Sequence, residues 1–428
     1  NNNKWRNNNM ARNRIIYQSE ALYAGPTPST GFHFTYSTGN ALTGTLPAGF
    51  SDGAGLPTAD YNALTGTNGY TGFKDVPSAN FYSGVVNNLK QLQRVQTANY
   101  SFTVNRQDVN QFGQLAAIDR VVLTSPTVSL DFSYLLANLA NENILGFTIQ
   151  SGSQGEVSAI SGILNGTADD KNYFVRTVPE GNDAVGFTTT GGSTDATKVG
   201  VIGIGNGFIT SYSTEGSVGN FPTSTVKVEA LNMSFQQGIT GNYIPAINVS
   251  NGSEITGNKY VLPIAVQSAA TATSGISALR PGDVVLSLPD VSGAAGLNVQ
   301  SYSLSFDLAR TPIEKLGSKF AFTRTINFPL TVTLTVDAQV TDFNQGTLAQ
   351  IVSGDSSLFY NPVISINSPT GTITPLLRFS LKRAKLDSQE FKSDIGSNKS
   401  VTLTFSSQVG GPQDTANGLY MSGAAGAF

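Results

Sequence analysis

The sequence predicts a mainly β chain made of two tandem copies of one strand-rich unit, each with a short flanking helix. Three observations carry this. The first is strict alternation. Tyr100, Phe102 and Val104 alternate with Ser101, Thr103 and Asn105, and Val128, Leu130, Phe132 and Tyr134 alternate with Ser129, Asp131 and Ser133. Successive strand side chains point to opposite faces, so each run is a strand with one apolar and one polar face. The second is composition: 45 glycines and only 12% charged residues in 428 suit strands and turns better than helical bundles. The third is an internal repeat. Residues 299–338 return to the order of residues 95–135: strand, Arg loop, Gly, Pro, strand.

In that repeat Tyr302, Leu304 and Phe306 stand for Tyr100, Phe102 and Val104. Arg310 stands for Arg106, Leu316-Gly317 for Phe112-Gly113, and Pro329 for Pro126. Each proline precedes a strand, where it removes no interior ladder donor.

Taken in order, residues 1–9 are an Asn-rich tail, or translated sequence ahead of a start at Met10. Arg14–Tyr23 reads as the first strand. Residues 25–85 are a long Gly/Thr/Pro/Asn-rich insertion with isolated aromatics (Phe32, Phe34, Tyr36, Tyr61, Phe73), read either as an ordered excursion packed on a neighbour or as a mobile surface insertion. Leu135–Leu145 has Leu135, Leu136 and Leu139 at helical spacing, and Gly346–Ser353 has Leu348, Ile351 and Val352. Both are expected to be short helices after a second strand. Residues 150–198 are loop-rich around a strand at Tyr173–Val178. Val199–Ser213 with Ser224–Phe235 closes the first half, and Leu377–Leu386 with Lys399–Val409 the second. The boundary near Gly238–Gly241 gives domains 10–240 and 241–428, with residues 410–428 read as a Gly/Ala-rich arm.

The function classes narrow by chemistry. A net charge of −3 argues against a protein that holds nucleic acid by its phosphates. Without cysteine, disulfides and thiolate metal sites are impossible. No apolar run approaches the ~20 residues of a membrane helix. The opening residues lack the apolar core of a secretory leader, so synthesis in a cytoplasm is expected. His33 is the one histidine and has no acid partner by spacing. Gly203-Ile204-Gly205-Asn206-Gly207 looks like a dinucleotide motif, but the strand-like Phe208–Tyr212 follows where a helix is required. Asp169-Asp170 reads as a solvated pair. No catalytic, cofactor or metal site is expected, and the chain is not expected to be an enzyme.

RNRIIYQSEALY near the start, NYSFTVNRQDVNQFGQLAAIDRVVL, PTVSLDFSYLL and FITSYSTEGSVGNFPTSTVKVEALNM resemble phage major tail tube proteins. The resemblance covers most of residues 10–240 and reaches the second half only through the repeat. It implies two tail-tube-like β-sandwich domains. In that family subunits form six-fold rings whose inner strands join into one barrel, and rings stack into the tube through which DNA leaves the virion. A doubled chain would then form trimeric, pseudo-hexameric rings. The implied partners are further copies of the chain and other tail proteins (tail terminator, tape measure, baseplate or tip). DNA would pass without specific binding. Location would be the virion, after assembly in the host cytoplasm, with no membrane and no cofactor.

On this reading the polar strand faces line the lumen: Ser101, Thr103, Asn105, Ser129, Asp131, Ser133, Ser303, Ser305, Asp307, Thr331, Thr333, Thr335 and Asp337. Small hydroxyls and scattered carboxylates attract phosphates little, so DNA can slide. Residues 95–135 and 299–338 are expected to be neighbouring, equivalent staves of the barrel. Loops 105–114 and 307–317, carrying Arg106 with Asp108 and Arg310 with Glu314, are expected at ring-to-ring or domain-to-domain contacts. Two other readings stand beside this one: a different self-assembling sandwich protein (capsid decoration, surface-layer or adhesin subunit), and an enzyme on a sandwich, which would need clustered carboxylates and aromatics in a cleft.

Overall fold

The computed structural model describes residues 20–26, 90–123, 125–151, 157–164, 170–178, 180, 184, 200–237, 240–243, 245–248, 253–254, 259–261, 281–287, 297–317, 320–321, 323–340, 359–367, 375–393, 398–412 and 414–423. The chain is mainly β. Its first half runs β1 (Glu20–Pro26), β2 (Lys90–Gln91), β3 (Val95–Thr103), β4 (Arg106–Val109), β5 (Asp119–Val122), β6 (Thr127–Leu135), α1 (Ala140–Leu145), β7 (Ile149–Ser151), α2 (Ser161–Leu164), β8 (Asp170–Thr177), β9 (Gly200–Ser217), β10 (Thr223–Ala230) and β11 (Asn232–Gln237). Two small hairpins follow, formed by β12 (Thr240–Tyr243), β13 (Ile247–Asn248), β14 (Ser253–Glu254) and β15 (Lys259–Val261). The second half runs β16 (Val284–Ser287), β17 (Leu297–Asp307), β18 (Arg310–Ile313), β19 (Thr323–Ile326), β20 (Leu330–Val340), β21 (Val363–Asn367), β22 (Pro375–Lys382), β23 (Lys385–Lys392), β24 (Ser400–Val409) and β25 (Gly418–Gly423).

Eight antiparallel strands form one continuous sheet in the order β3-β6-β10-β9-β17-β20-β24-β23. Its first four strands come from the first half and its last four from the second. Each set of four is backed by a further group: β1-β8-β9-β11 in the first half and β16-β21-β22-β25 in the second, with β7 added parallel to β25. The strand β9 serves both groups. Its start pairs β8 and β11, and its end pairs β10 and β17. The apolar positions of the eight-stranded sheet, among them Leu130, Phe132, Val226, Leu304, Leu334, Leu403 and Phe405, are buried in one core cluster with Val175, Ile204, Ile364 and Phe379 of the backing strands.

The halves correspond residue by residue. One constant shift carries the β-bulge at Val95/Thr97 onto the bulge at Val299/Ser301, and the pair Tyr100–Leu130 onto Leu304–Leu334. The same shift carries the pair Arg106–Val122 onto Arg310–Ile326, and the left-handed Gly113 (φ 88) onto Gly317 (φ 83). A second shift carries the bulge skipping Thr210 onto that skipping Asp387, and Asn206 (φ 53) onto Arg383 (φ 52). Asn206 lies within β9, whereas Arg383 lies between β22 and β23. Bulges and left-handed residues are specific local features, so their coincidence fixes the correspondence.

This corrects the alignment read from sequence by two residues: Leu304, not Tyr302, matches Tyr100, and Phe306 matches Phe102. A two-residue slip keeps every side chain on its own face, so hydrophobic alternation alone does not detect it. The two strand pairs are not neighbours either, because β10 and β9 stand between them. The loops expected at 105–114 and 307–317 instead contain the first strands of two hairpins, β4 with β5 and β18 with β19.

The first strand begins at Glu20 within the described residues, and the helix after β6 is confined to Ala140–Leu145. The expected helix at 346–353 lies outside the described residues, as do His33 and the expected insertion 25–85 apart from Gly25 and Pro26, which end β1. The expected arm contains β25, whose six residues are all buried between β22 and β7. Gly-Leu-Tyr-Met-Ser-Gly lacks a polar alternate because both of its faces are covered. The Gly203–Gly207 run lies in β9 and explains itself by packing. A Cβ on Gly205 would stand 2.3 Å from the Pro245 carbonyl oxygen, and one on Gly207 would stand 2.8 Å from the Tyr173 ring.

Candidate functional site

The feature that the fold sets apart is the polar face of the eight-stranded sheet. The six inner strands are amphipathic, with buried residues alternating with half-buried or exposed ones, as in Thr127–Leu135 and Ser400–Val409, whereas the edge strands β3 and β23 hold no buried residue. Ser101 and Thr103 of β3, and Ser129, Asp131 and Ser133 of β6, lie on this face. So do Ser303, Ser305 and Asp307 of β17, and Thr331, Thr333, Thr335 and Asp337 of β20. Asn105 lies past the end of β3 and is exposed.

The register joins these residues into rows. Thr97, Ser133, Thr225, Ser213, Ser305, Thr333 and Ser406 follow one another across seven strands, and Lys385 ends the row on β23. Thr97 and Ser133 share a hydrogen bond of 2.7 Å, and Ser101 and Ser129 one of 2.8 Å. The Asp337 carboxylate accepts from Ser301 Oγ at 3.0 Å and from Thr402 Oγ1 at 2.6 Å. Such cross-strand hydroxyl pairs each contribute a few tenths of a kcal/mol, ~0.2–1.

Sequence reasoning named four strands of this face and missed the other four. These add Ser211, Ser213 and Glu215 of β9 and Thr225, Lys227 and Glu229 of β10. Thr402, Thr404 and Ser406 of β24 and Ser388, Glu390 and Lys392 of β23 complete it. The signal was present in the alternation of Val226 and Val228 with Lys227 and Glu229. Only the pairing shows that it continues the same surface. Carboxylates outnumber ammonium groups there, and Lys227 stands directly across from Asp131.

The hairpins carry the expected charged residues in different pairings. Asp108 accepts from Arg120 Nε at 2.6 Å, rather than pairing with Arg106, because β4 and β5 set Asp108 opposite Arg120. Both groups are well exposed, so this ion pair stabilises little. Arg310 lies 5.0 Å above the Phe208 ring, with Arg324 5.6 Å from the same ring and also paired to Glu229. Glu314 is exposed in the turn after β18. Phe112, Leu115 and Leu316 at the two hairpin tips are fully exposed.

Behind the sheet is a buried acid that sequence reasoning missed. Glu142 on α1 is fully buried, and its Oε1 accepts from the hydroxyls of Tyr134 (2.7 Å) and Tyr212 (3.0 Å). Burial pushes its pKa up to about 7 despite these hydrogen bonds. The cluster ties α1 to β6 and β9. Phe147 then covers the junction of the two halves, 5.1 Å from the Tyr212 ring and 6.0 Å from that of Phe306. Among the described residues no group of three or more His, Asp or Glu side chains could hold a metal ion.

No protein-family model matches the chain, and no curated protein matches it. Among solved structures it is similar to a chain of the cryo-EM structure of the anti-feeding prophage baseplate, six-fold symmetrised. That likeness has 14% identity and a TM-score of 0.22, and it covers 33% of this chain and 91% of that one. A likeness of this extent carries no argument about function.

Proposed function

We propose that this chain is a non-enzymatic structural protein of a phage-type tail, forming the tube through which DNA is ejected. The observation that carries the reading is the eight-stranded sheet. Two equivalent four-stranded sets lie side by side in one sheet, with a hydroxyl- and carboxylate-rich face on one side and the core on the other. A sheet built from equal units, with an edge at each end that no other described strand pairs, extends by adding further units, and closure into a barrel removes the edges. Two tube domains per chain, divided near residues 238–241, make three chains equivalent to six units. The ring is then a trimer with pseudo-six-fold symmetry.

In this reading the polar face lines the lumen. Its carboxylates repel phosphates, and its short hydroxyl side chains offer no clustered cations to hold them. The exposed hairpin tips reach the next ring. Tail terminator, tape measure and baseplate or tip proteins are the other partners, and the virion is the location. Negative-stain microscopy with light scattering tests the reading. Rings or rods with a central channel and a mass of three chains per ring support it, and a monodisperse monomer at all concentrations overturns it.

A further inference from the structure

Among the described residues, β3 pairs only β6 and β23 pairs only β24, so these two strands are the open edges of the eight-stranded sheet. Their counterparts inside the chain are not open. β17, which matches β3, pairs the end of β9, which matches β23. The chain therefore contains one complete example of the junction that its own two edges could make.

Side-chain exposure follows this difference. Phe306 is 3% exposed beneath β9, with its ring 5.5 Å from that of Tyr212. Phe102, at the matching place in β3, is 60% exposed. On the other edge Phe391 is 48% exposed, whereas its counterpart Thr214 is completely buried. Each edge thus exposes an aromatic side chain on its core-facing side at a place that the internal junction covers.

We infer that β23 of one copy pairs antiparallel with β3 of a second copy of this chain, in the register of the β9–β17 junction. Inside the chain Ser303 faces Glu215, Leu304 faces Thr214, Ser305 faces Ser213, Phe306 faces Tyr212 and Asp307 faces Ser211. Carried to the edges, this sets Asn99 of the second copy against Lys392, Tyr100 against Phe391, Ser101 against Glu390, Phe102 against Gln389 and Thr103 against Ser388. Each residue of the polar face then meets another of that face, Gln389 faces Phe102 on the core side, and the two exposed aromatics move under the joined sheet. A slip of one residue would put Phe391 on the polar face. The charges of β23 at Lys385, Glu390 and Lys392 lie on the polar side of the sheet. The partner class and the number of copies rest on the tube-forming reading, whereas the register rests on the internal junction.

The chain has no cysteine, so paired cysteines report the register directly. Directly opposed strand residues lie within disulfide reach, and diagonal ones do not. Ser101→Cys with Glu390→Cys should crosslink chain to chain under mild oxidation of the assembled protein, giving dimers and a closed trimer on non-reducing gels. Either single variant should remain a monomer there. Ser213→Cys with Ser305→Cys should close within one chain and leave the mass unchanged. If Ser101→Cys with Ser388→Cys crosslinks instead, the register is overturned while the tube reading stands. If oligomers form by light scattering and neither intermolecular pair crosslinks, pairing through these edges is overturned and assembly stands. If no oligomer forms, both fall.

Discussion

Tyr134 donates a 2.7 Å hydrogen bond to Glu142 in the core, linking the second strand of the polar sheet to the helix behind it. The acid is fully buried, and burial outweighs the hydroxyl and backbone hydrogen bonds that favour its charged form, so ionising it is costly. Its folded pKa of about 7 lies above its ordinary 4.5, so the folded state binds this proton more tightly than the unfolded chain does. The contribution to stability is therefore full below about 4.5 and is lost as pH rises through about 7, a difference of about 3 kcal/mol. Urea unfolding from pH 5 to pH 8 should show this decline in the parent protein. Glu142→Gln, whose amide oxygen can accept the same hydrogen bonds, should flatten it. An unchanged pH profile in the variant would refute the assignment.

Gly205 lies in β9 against the backbone of Pro245 and Ala246, which a Cβ would meet at 2.3–2.6 Å. Backbone cannot swing aside as a side-chain end can. Gly205→Ala should cost about 1–3 kcal/mol by overpacking. Gly411→Ala, where a Cβ meets nothing within 4 Å, should stay within about 0.5 kcal/mol. Equal losses in chemical denaturation would contradict the packing explanation of the glycine run.

Removal of the residues after 417 deletes β25 and strips both β22 and β7 of a partner. The second half should lose cooperative unfolding in a circular-dichroism melt. The milder Met421→Ala truncates a fully buried side chain and should cost about 2–5 kcal/mol. A truncated chain with an unaltered melt would restore the reading of this region as a free arm.

The hairpin tips expose Phe112 and Leu316 at matching positions beside left-handed glycines. If they join ring to ring, Phe112→Asp combined with Leu316→Asp should leave rings intact by light scattering and remove long rods from micrographs. Full-length rods in the double variant would exclude the tips from stacking.

The fold class, the polar and apolar faces of β3, β6, β17 and β20, and the existence of a repeat were legible in sequence. All three follow from a period of two and from a few special residues, and both are local. The sequence did not place β10 and β9 between the repeated strand pairs, nor β25 in the backing layer. It also left the repeat alignment open by two residues. Sheet order is a choice among long-range partners, and a buried strand such as Gly418–Gly423 carries no alternation to announce it. Glu142 was invisible for a related reason: one acid on a short helix gains meaning only when Tyr134 and Tyr212 converge on it. The sequence by itself therefore determined that the chain makes amphipathic strands twice over. Only the tertiary structure decided that the two sets share one sheet, because hydrogen bonding between β9 and β17 joins residues nearly a hundred positions apart.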